Sequence, residues 1–234
     1  MQTETLKTKL QENQITLGDD QIEQTIELMN EIVETNKKIN LTRITDENDF
    51  IDKHIIDALT CPLNQTDQKI IDVGTGGGFP GLPLAIAYPQ RQWTLMDATE
   101  KKIRAIERIA KNIGVHNVTF ITGRAEELAH QKTYRENFDA VVSRAVANLP
   151  VLTELCAAFI VPDGHFYAWK GEKSDQEIRE AQNAFETLGL EVESINHNLL
   201  LKNTVFHVII QCRKTGITPK EYPRNFGQIK KKPL

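Results

Sequence analysis

Three cysteines stand in 234 residues, Cys61, Cys156 and Cys212, with no CxxC pair and no ligand-like spacing among them. That scatter argues against a disulfide framework and a zinc site, and fits buried or idle thiols in a reducing cytoplasm. No apolar run approaches the roughly 18 residues a membrane helix needs. The opening MQTETLKTKLQEN is polar and mixed in charge, so no signal peptide is expected. There is also no internal repeat, no low-complexity linker and no sustained heptad, so neither a solenoid nor a coiled coil is in view.

What is present is ordinary globular material: 40% hydrophobic and 26% charged residues, enough for one domain with an appendage. The net charge of −4 argues against a generic nucleic-acid coat, but the charge is uneven. From Arg213 to Leu234 seven basic residues face the single acid Glu221, so the tail carries +6 and the preceding 212 residues carry −10. A basic tail on an acidic body points to a polyanionic partner.

Three segments are expected. Residues 1–65 read as a helical extension. Ile22, Ile26, Met29 and Val33 make one apolar stripe, and a turn follows around Asn36–Asn40. Asp46 or Asn48 then caps a second helix carrying Phe50, Ile51, Ile55 and Leu59, which Pro62 ends. Residues 66–213 alternate short apolar strands and helices. The strands are expected at Lys69–Val73, Trp93–Asp97, Val118–Thr122, Phe138–Ser143, Gly164–Trp169, Leu190–Asn196 and Thr204–Gln211. Helical patterns lie between them, around Ile103–Ile113 and from Ser174 to Leu188. Such alternation predicts an α/β three-layer sandwich with parallel strands and right-handed crossovers. The last two strands have no room for a helix between them and should form an antiparallel edge hairpin, which is how the class I methyltransferase fold closes. Residues 214–234 form the basic tail.

The sharpest motif is Ile70-Ile71-Asp72-Val73-Gly74-Thr75-Gly76-Gly77-Gly78-Phe79-Pro80-Gly81, at a strand-to-helix junction where open α/β sheets bind ligands. Glycines there allow positive φ and close backbone approach. Gly76-x-Gly78-x-x-Gly81 matches a dinucleotide fingerprint. Asp72-x-Gly74-x-Gly76-x-Gly78 instead resembles the first motif of S-adenosylmethionine-dependent methyltransferases. In that resemblance an acid at Asp72 helps hold the cofactor's ammonium end. The second reading is favoured, because the chain leaves no substrate domain of dehydrogenase size. Asp97 closes the next strand, where a carboxylate can accept both ribose hydroxyls or cap the following helix. Ala125 and Glu126 follow the third strand and are placed to flank adenine. Arg144 ends the fourth strand and offers a planar donor fork for phosphate, carboxylate or guanine O6. Lys170 ends the fifth strand on the same rim, suited to RNA phosphate. No Asn/Asp-Pro-Pro-Tyr/Phe motif stands at the fourth strand's tip, which argues against methylation of an exocyclic amine.

Taken together, Asn36-Lys37-Lys38-Ile39-Asn40-Leu41-Thr42, His54-x-x-Asp57, the glycine loop, Asp97 with Lys101-Lys102, Ala125-Glu126, Ser143-Arg144-Ala145, Lys170-Gly171 and Tyr222-Pro223-Arg224 resemble the ribosomal RNA small subunit methyltransferase G family, also called glucose-inhibited division protein B. The similarity spans nearly the whole chain. It implies methyl transfer from S-adenosylmethionine to N7 of one guanine in 16S rRNA, in a bacterial cytoplasm. It places cofactor contacts at Gly74, Phe79, Ala125, Glu126 and Arg144, with Asp97 at the ribose. Ala58 and Ala98 stand where the family usually has Ser, and the tail reads Arg224-Asn225-Phe226-Gly227-Gln228-Ile229 without the usual extra lysine and proline.

Guanine N7 carries a lone pair and no proton, so its methylation needs positioning and no general base. His54 and Asp57 are accordingly read as structural. Asn40 and Thr42 are candidates for orienting the base or a phosphate, with Arg144 and Lys170 beside them. Lys37, Lys38, Lys170, Arg224, Lys230, Lys231 and Lys232 are the expected RNA contacts. The expected partner is 16S rRNA or the small subunit, not DNA or a membrane. The chain is expected to act as a monomer without a metal. The rival readings are a methyltransferase for a protein or small molecule, and an NAD-dependent oxidoreductase.

Overall fold

The run Ile70-Ile71-Asp72-Val73 lacks polar alternation because it is covered on both faces, as central parallel strands are. In the computed structural model, which describes residues 2–198 and 207–234, it belongs to β1 (Lys69–Val73). The other strands are β2 (Gln92–Asp97), β3 (Val118–Thr122), β4 (Phe138–Arg144), β5 (Ile160–Lys170), β6 (Leu190–Asn198) and β7 (His207–Lys214). They form one sheet in the order β3-β2-β1-β4-β5-β7-β6, parallel from β3 to β5 and antiparallel where β7 enters between β5 and β6. The antiparallel seventh strand wedged before the sixth is the class I methyltransferase order, and it differs from the 3-2-1-4-5-6 order of dinucleotide-binding oxidoreductases.

Two elements depart from expectation. The fifth strand starts at Ile160, earlier than the expected Gly164, and the ladder to β4 shifts register between Phe138 and Ala140 to absorb the extra length. The stretch from Ser174 to Leu188 is two helices, α9 (Ser174–Glu180) and α10 (Gln182–Leu188), broken at the buried Ala181. Of the expected last strand, Thr204, Val205 and Phe206 lie outside the described residues.

Each sheet face carries its own core. On one face α1 (Gln2–Glu12), α2 (Asp19–Asn36), α5 (Gly81–Ala87) and α6 (Glu100–Asn112) pack with Ile70, Trp93 and Ile106. Leu6, Leu10, Ile32 and Phe50 belong to the same continuous core, so the helical extension packs directly against the sheet's own helices. Gln21 and Gln24 on α2 donate to the last carbonyls of α5 and α6: Gln21 Nε2 reaches Ile86 O at 2.8 Å and Gln24 Nε2 reaches Ile113 O at 3.1 Å. These side chains satisfy helix-end acceptors that have no partner within their own helix. On the other face the single turn α7 (Ala125–Leu128), α8 (Leu149–Ala157), α10 and the short α11 (Phe226–Lys231) cover Ile71, Val141 and Phe166.

The second predicted helix forms as α3 (Glu47–Phe50), a π-helical turn over Ile51–Ile56 and α4 (Asp57–Leu59). Asp46 is its cap, accepting from Asp49 N–H at 3.0 Å. Pi turns recur at functional sites. This one carries His54 and leads straight into Asp57.

Candidate active site

The glycine loop leaves β1 and is braced from beneath. Asp72 is fully buried and its Oδ2 accepts from Gly81 N–H at 2.9 Å, at the start of α5. It does not line the cavity as its expected role required. It supports the loop from behind, because a Cβ on Gly81 would lie only 2.7 Å from that same oxygen. Burial pushes the Asp72 carboxyl up to about 7. The buried Thr75 hydroxyl faces the same carboxyl and, with Gly81 N–H, favours its charged form. Gly78 (φ +93°) is also a packing glycine, since a Cβ there would sit 2.6 Å from Leu82 Cδ1. Gly76 (φ +58°) differs, because a Cβ on it would meet nothing nearer than 3.9 Å and so faces open space.

That space is a cavity of about 440 Å³, within the range of small-molecule sites. Its walls bring together Gly74, Gly76, Phe79, Asp97, Ala125, Glu126 and Arg144, seven of the nine residues expected at a cofactor. Asp97 ties two walls: its Oδ2 accepts from Gly76 N–H at 3.0 Å and its Oδ1 from Thr99 N–H at 2.8 Å, just before α6. The carboxylate therefore serves the turn into the helix and the glycine loop at once. Leu41, Val146 and Phe226 also line the cavity and were not expected there. Each lies far in sequence from the glycine loop; Leu41 falls in the Asn36–Thr42 motif, whereas Val146 and Phe226 carry no cofactor signal. Carboxylates at Asp97 and Glu126 on the cavity wall, beside the backbone of the glycine loop, suit a ligand that is cationic and rich in hydroxyls.

At the other end of the cavity, Phe79 stacks on His54 with ring centroids 4.1 Å apart and an interplanar angle of 7°. Arg144 locks this pair in place. Its Nη1 donates to Asp57 Oδ2 at 2.6 Å and to Lys53 O at 2.8 Å, and its Nη2 donates to His54 Nδ1 at 2.9 Å. With Nδ1 accepting, the imidazole proton sits on Nε2 and is given to the Thr42 hydroxyl oxygen at 2.7 Å. Burial and the adjacent guanidinium push the His54 imidazolium down to about 3, so the ring is neutral. Asp57 is shared further, its Oδ1 accepting from His207 Nδ1 at 2.8 Å. His54, Asp57, Arg144, Thr42 and His207 thus form one hydrogen-bonded cluster.

A second cavity of about 600 Å³ opens on the far side of this cluster and shares His54, Arg144 and Ala145 with the first. Its other walls include Trp169, Lys170, Glu177 and His207.

The expected RNA contacts divide. Lys37, Lys38, Lys230, Lys231 and Lys232 are exposed. Two others turn inward, which corrects their expected placement. Lys170 is buried, its Nζ donating to Ala147 O at 2.6 Å and Glu177 Oε2 at 2.9 Å, and burial lowers its pKa. Arg224 forks onto the fully buried Glu154, through Nε at 2.8 Å and Nη2 at 2.6 Å. Asn40 is exposed and lines neither cavity. The turn there is organised by Asn36, whose Oδ1 accepts from Leu41 N–H at 2.7 Å and Thr42 N–H at 3.0 Å.

The sheet order, the glycine loop after its first strand and the cavity at the strand tips define a class I methyltransferase. The rRNA small subunit methyltransferase G family model matches residues 21–204. The chain is 37% identical over 232 residues to ribosomal RNA small subunit methyltransferase G of Alkaliphilus metalliredigens, covering 98% of this chain and 97% of that one. It is 40% identical to the protein of the same name from Clostridium novyi, covering 93% and 90%. The fold also resembles the fibrillarin pre-rRNA processing protein of Methanococcus jannaschii, at 16% identity and a TM-score of 0.50, over 64% of this chain and 68% of that one. The chain belongs to the rRNA small subunit methyltransferase G family.

Proposed function

We propose that the chain transfers the methyl group of S-adenosylmethionine to N7 of a guanine in 16S rRNA. The observation that carries this reading is the pair of cavities meeting at Arg144, His54 and Ala145. One is built for a nucleoside with a cationic tail, and the other has room for a base. Asp97 would take the ribose hydroxyls, Ala125 and Glu126 the adenine, and the backbone of Gly74 and Gly76 the amino-acid end. Asp72, held behind the loop, would brace the backbone that meets that end.

The bound cofactor would supply an activated methyl on a sulfonium. N7 would take that methyl with its own lone pair, the N–C bond forming as the S–C bond breaks and the positive charge passing to the base. No proton moves, so no base is needed. The neighbouring groups agree: His54 is neutral with both ring nitrogens engaged, and Arg144 is held by three acceptors. Their work is to fix the rim across which the two reactants meet.

N7 lies on the major-groove edge, which A-form RNA hides, so the target would be a loop or a base swung out of its stack. Lys37, Lys38 and Lys230 to Lys232 would hold the flanking phosphates. The protein would act as a monomer in the cytoplasm of a bacterium. No described helix is long and apolar enough to cross a membrane. Expression in a bacterium whose own gene for this enzyme is deleted tests the reading: borohydride and aniline treatment should again cleave its 16S rRNA at 7-methylguanosine. An uncleaved product would reject the acceptor atom.

A further inference from the structure

Phe226 is one of four exposed large hydrophobic side chains among the described residues, at 37% exposure, and it lies on the wall of the first cavity. The same cavity is lined by Asp97, Gly123, Arg124, Ala125 and Glu126, and the Arg124 guanidinium lies 5.9 Å from the ring centroid. The ring is 100 residues or more from these in sequence but firmly held. Just before it, Arg224 is clamped to Glu154 through its backbone N–H (2.9 Å) as well as its side chain. His130 donates to Pro223 O at 2.8 Å, and Arg135 Nη1 donates to Tyr222 O at 2.9 Å. Asn225, directly before Phe226, caps the turn by accepting from Gln228 N–H, and Ile229 just after it is wholly buried. A frayed terminus would show none of this. The anchors fix an apolar ring at an aqueous cavity, where it gains nothing until something flat covers it.

We propose that Phe226 is a cofactor-binding residue whose ring stacks on the adenine, making the C-terminal segment a wall of the cofactor site. This rests on the reading of the first cavity as an adenine-nucleoside site. The same six-residue helix points Lys230 and Lys231 into solvent, with Lys232 next to them. Phosphates gripped there would steady the ring, so RNA and cofactor would bind cooperatively, each raising the other's affinity by the same factor.

Calorimetric titration with S-adenosylhomocysteine tests this directly. Base–aromatic stacking predicts a Kd raised about 5- to 100-fold in Phe226→Ala, with the thermal midpoint unchanged, and a Kd near wild type in Phe226→Tyr. In the wild type, a 16S rRNA fragment should lower the Kd, and in Phe226→Ala it should not. Equal Kd values for wild type and Phe226→Ala would overturn the proposal while leaving the cavity's assignment standing. An unchanged wild-type Kd on adding RNA that binds would overturn the coupling. A wild type that binds no S-adenosylhomocysteine would reject the cofactor reading and this inference with it.

Discussion

Arg144 and Asp57 meet at 2.6 Å with side chains only 12% and 7% exposed. One comes from the tip of β4 and the other from the helical extension. Through this contact the extension takes part in the site, since it fixes the strand tip and, through His54, the ring of Phe79. Charged groups this buried are costly to leave alone.

Arg144→Ala should therefore cost about 3–5 kcal/mol in urea unfolding, because it strands Asp57 with His207 as its remaining side-chain partner. Asp57→Asn keeps an acceptor oxygen for Arg144 and turns an amide N–H toward His207, whose Nδ1 can accept it in the other neutral tautomer, so it should cost less. Equal losses would mean that the ion pair does not organise the rim.

Much of this architecture is legible in the sequence, for identifiable reasons. Parallel strands buried on both faces read as short apolar runs, so β1 to β4 fall within about a residue of their expected bounds. The motif residues Gly74, Asp97, Ala125, Glu126 and Arg144 share one cavity because they sit at strand tips, which a parallel sheet gathers along one edge. What composition cannot show is which charged groups find partners inside. Lys170 and Arg224 look like surface cations, and only the fold reveals Glu177 and Glu154 opposite them. Phe226 carries no periodic or motif signal, so its place on the cavity wall appears only once the tail is seen to fold back.

Asp72 sets a pH dependence. Its folded pKa, about 7, lies above the ordinary 3.8, so between these values the folded state holds a proton that the unfolded chain has lost. Stability from this group is present at low pH, falls as pH rises through that window and is level above it, for a total on the order of 4 kcal/mol. Asp72→Asn removes the titration. Relative to wild type it should gain stability between pH 4 and pH 7 in urea unfolding. A constant difference across that range would show that Asp72 is charged throughout.

His54 acts in the opposite sense. Its pKa is depressed from 6.5 to about 3, so the unfolded chain takes up a proton first and stability is lost as pH falls from 6.5. His54→Gln should be less acid-sensitive than wild type below pH 6, read from thermal midpoints at pH 4.5 and 7.5. A wild type no more acid-sensitive than this variant would contradict a neutral ring.

The exposed lysines should register as salt dependence. Charge reversal at Lys230, Lys231 and Lys232 should weaken RNA binding without changing cofactor affinity measured in the absence of RNA. The log–log salt slope should fall by about 2, from roughly 0.7 per phosphate contact on single-stranded RNA. Equal RNA affinity for variant and wild type would remove the tail from the interface. Because the Lys170 and Arg224 charges are committed inside, Lys170→Met and Arg224→Met should lower folding stability and leave the salt slope unchanged.

The central claim is most directly tested by tritium transfer from labelled S-adenosylmethionine to 16S rRNA and to small subunits from a strain lacking the gene, with the product digested to nucleosides. The account predicts label in 7-methylguanosine. Label in any other nucleoside, or none in RNA from a protein that binds the cofactor, would contradict it.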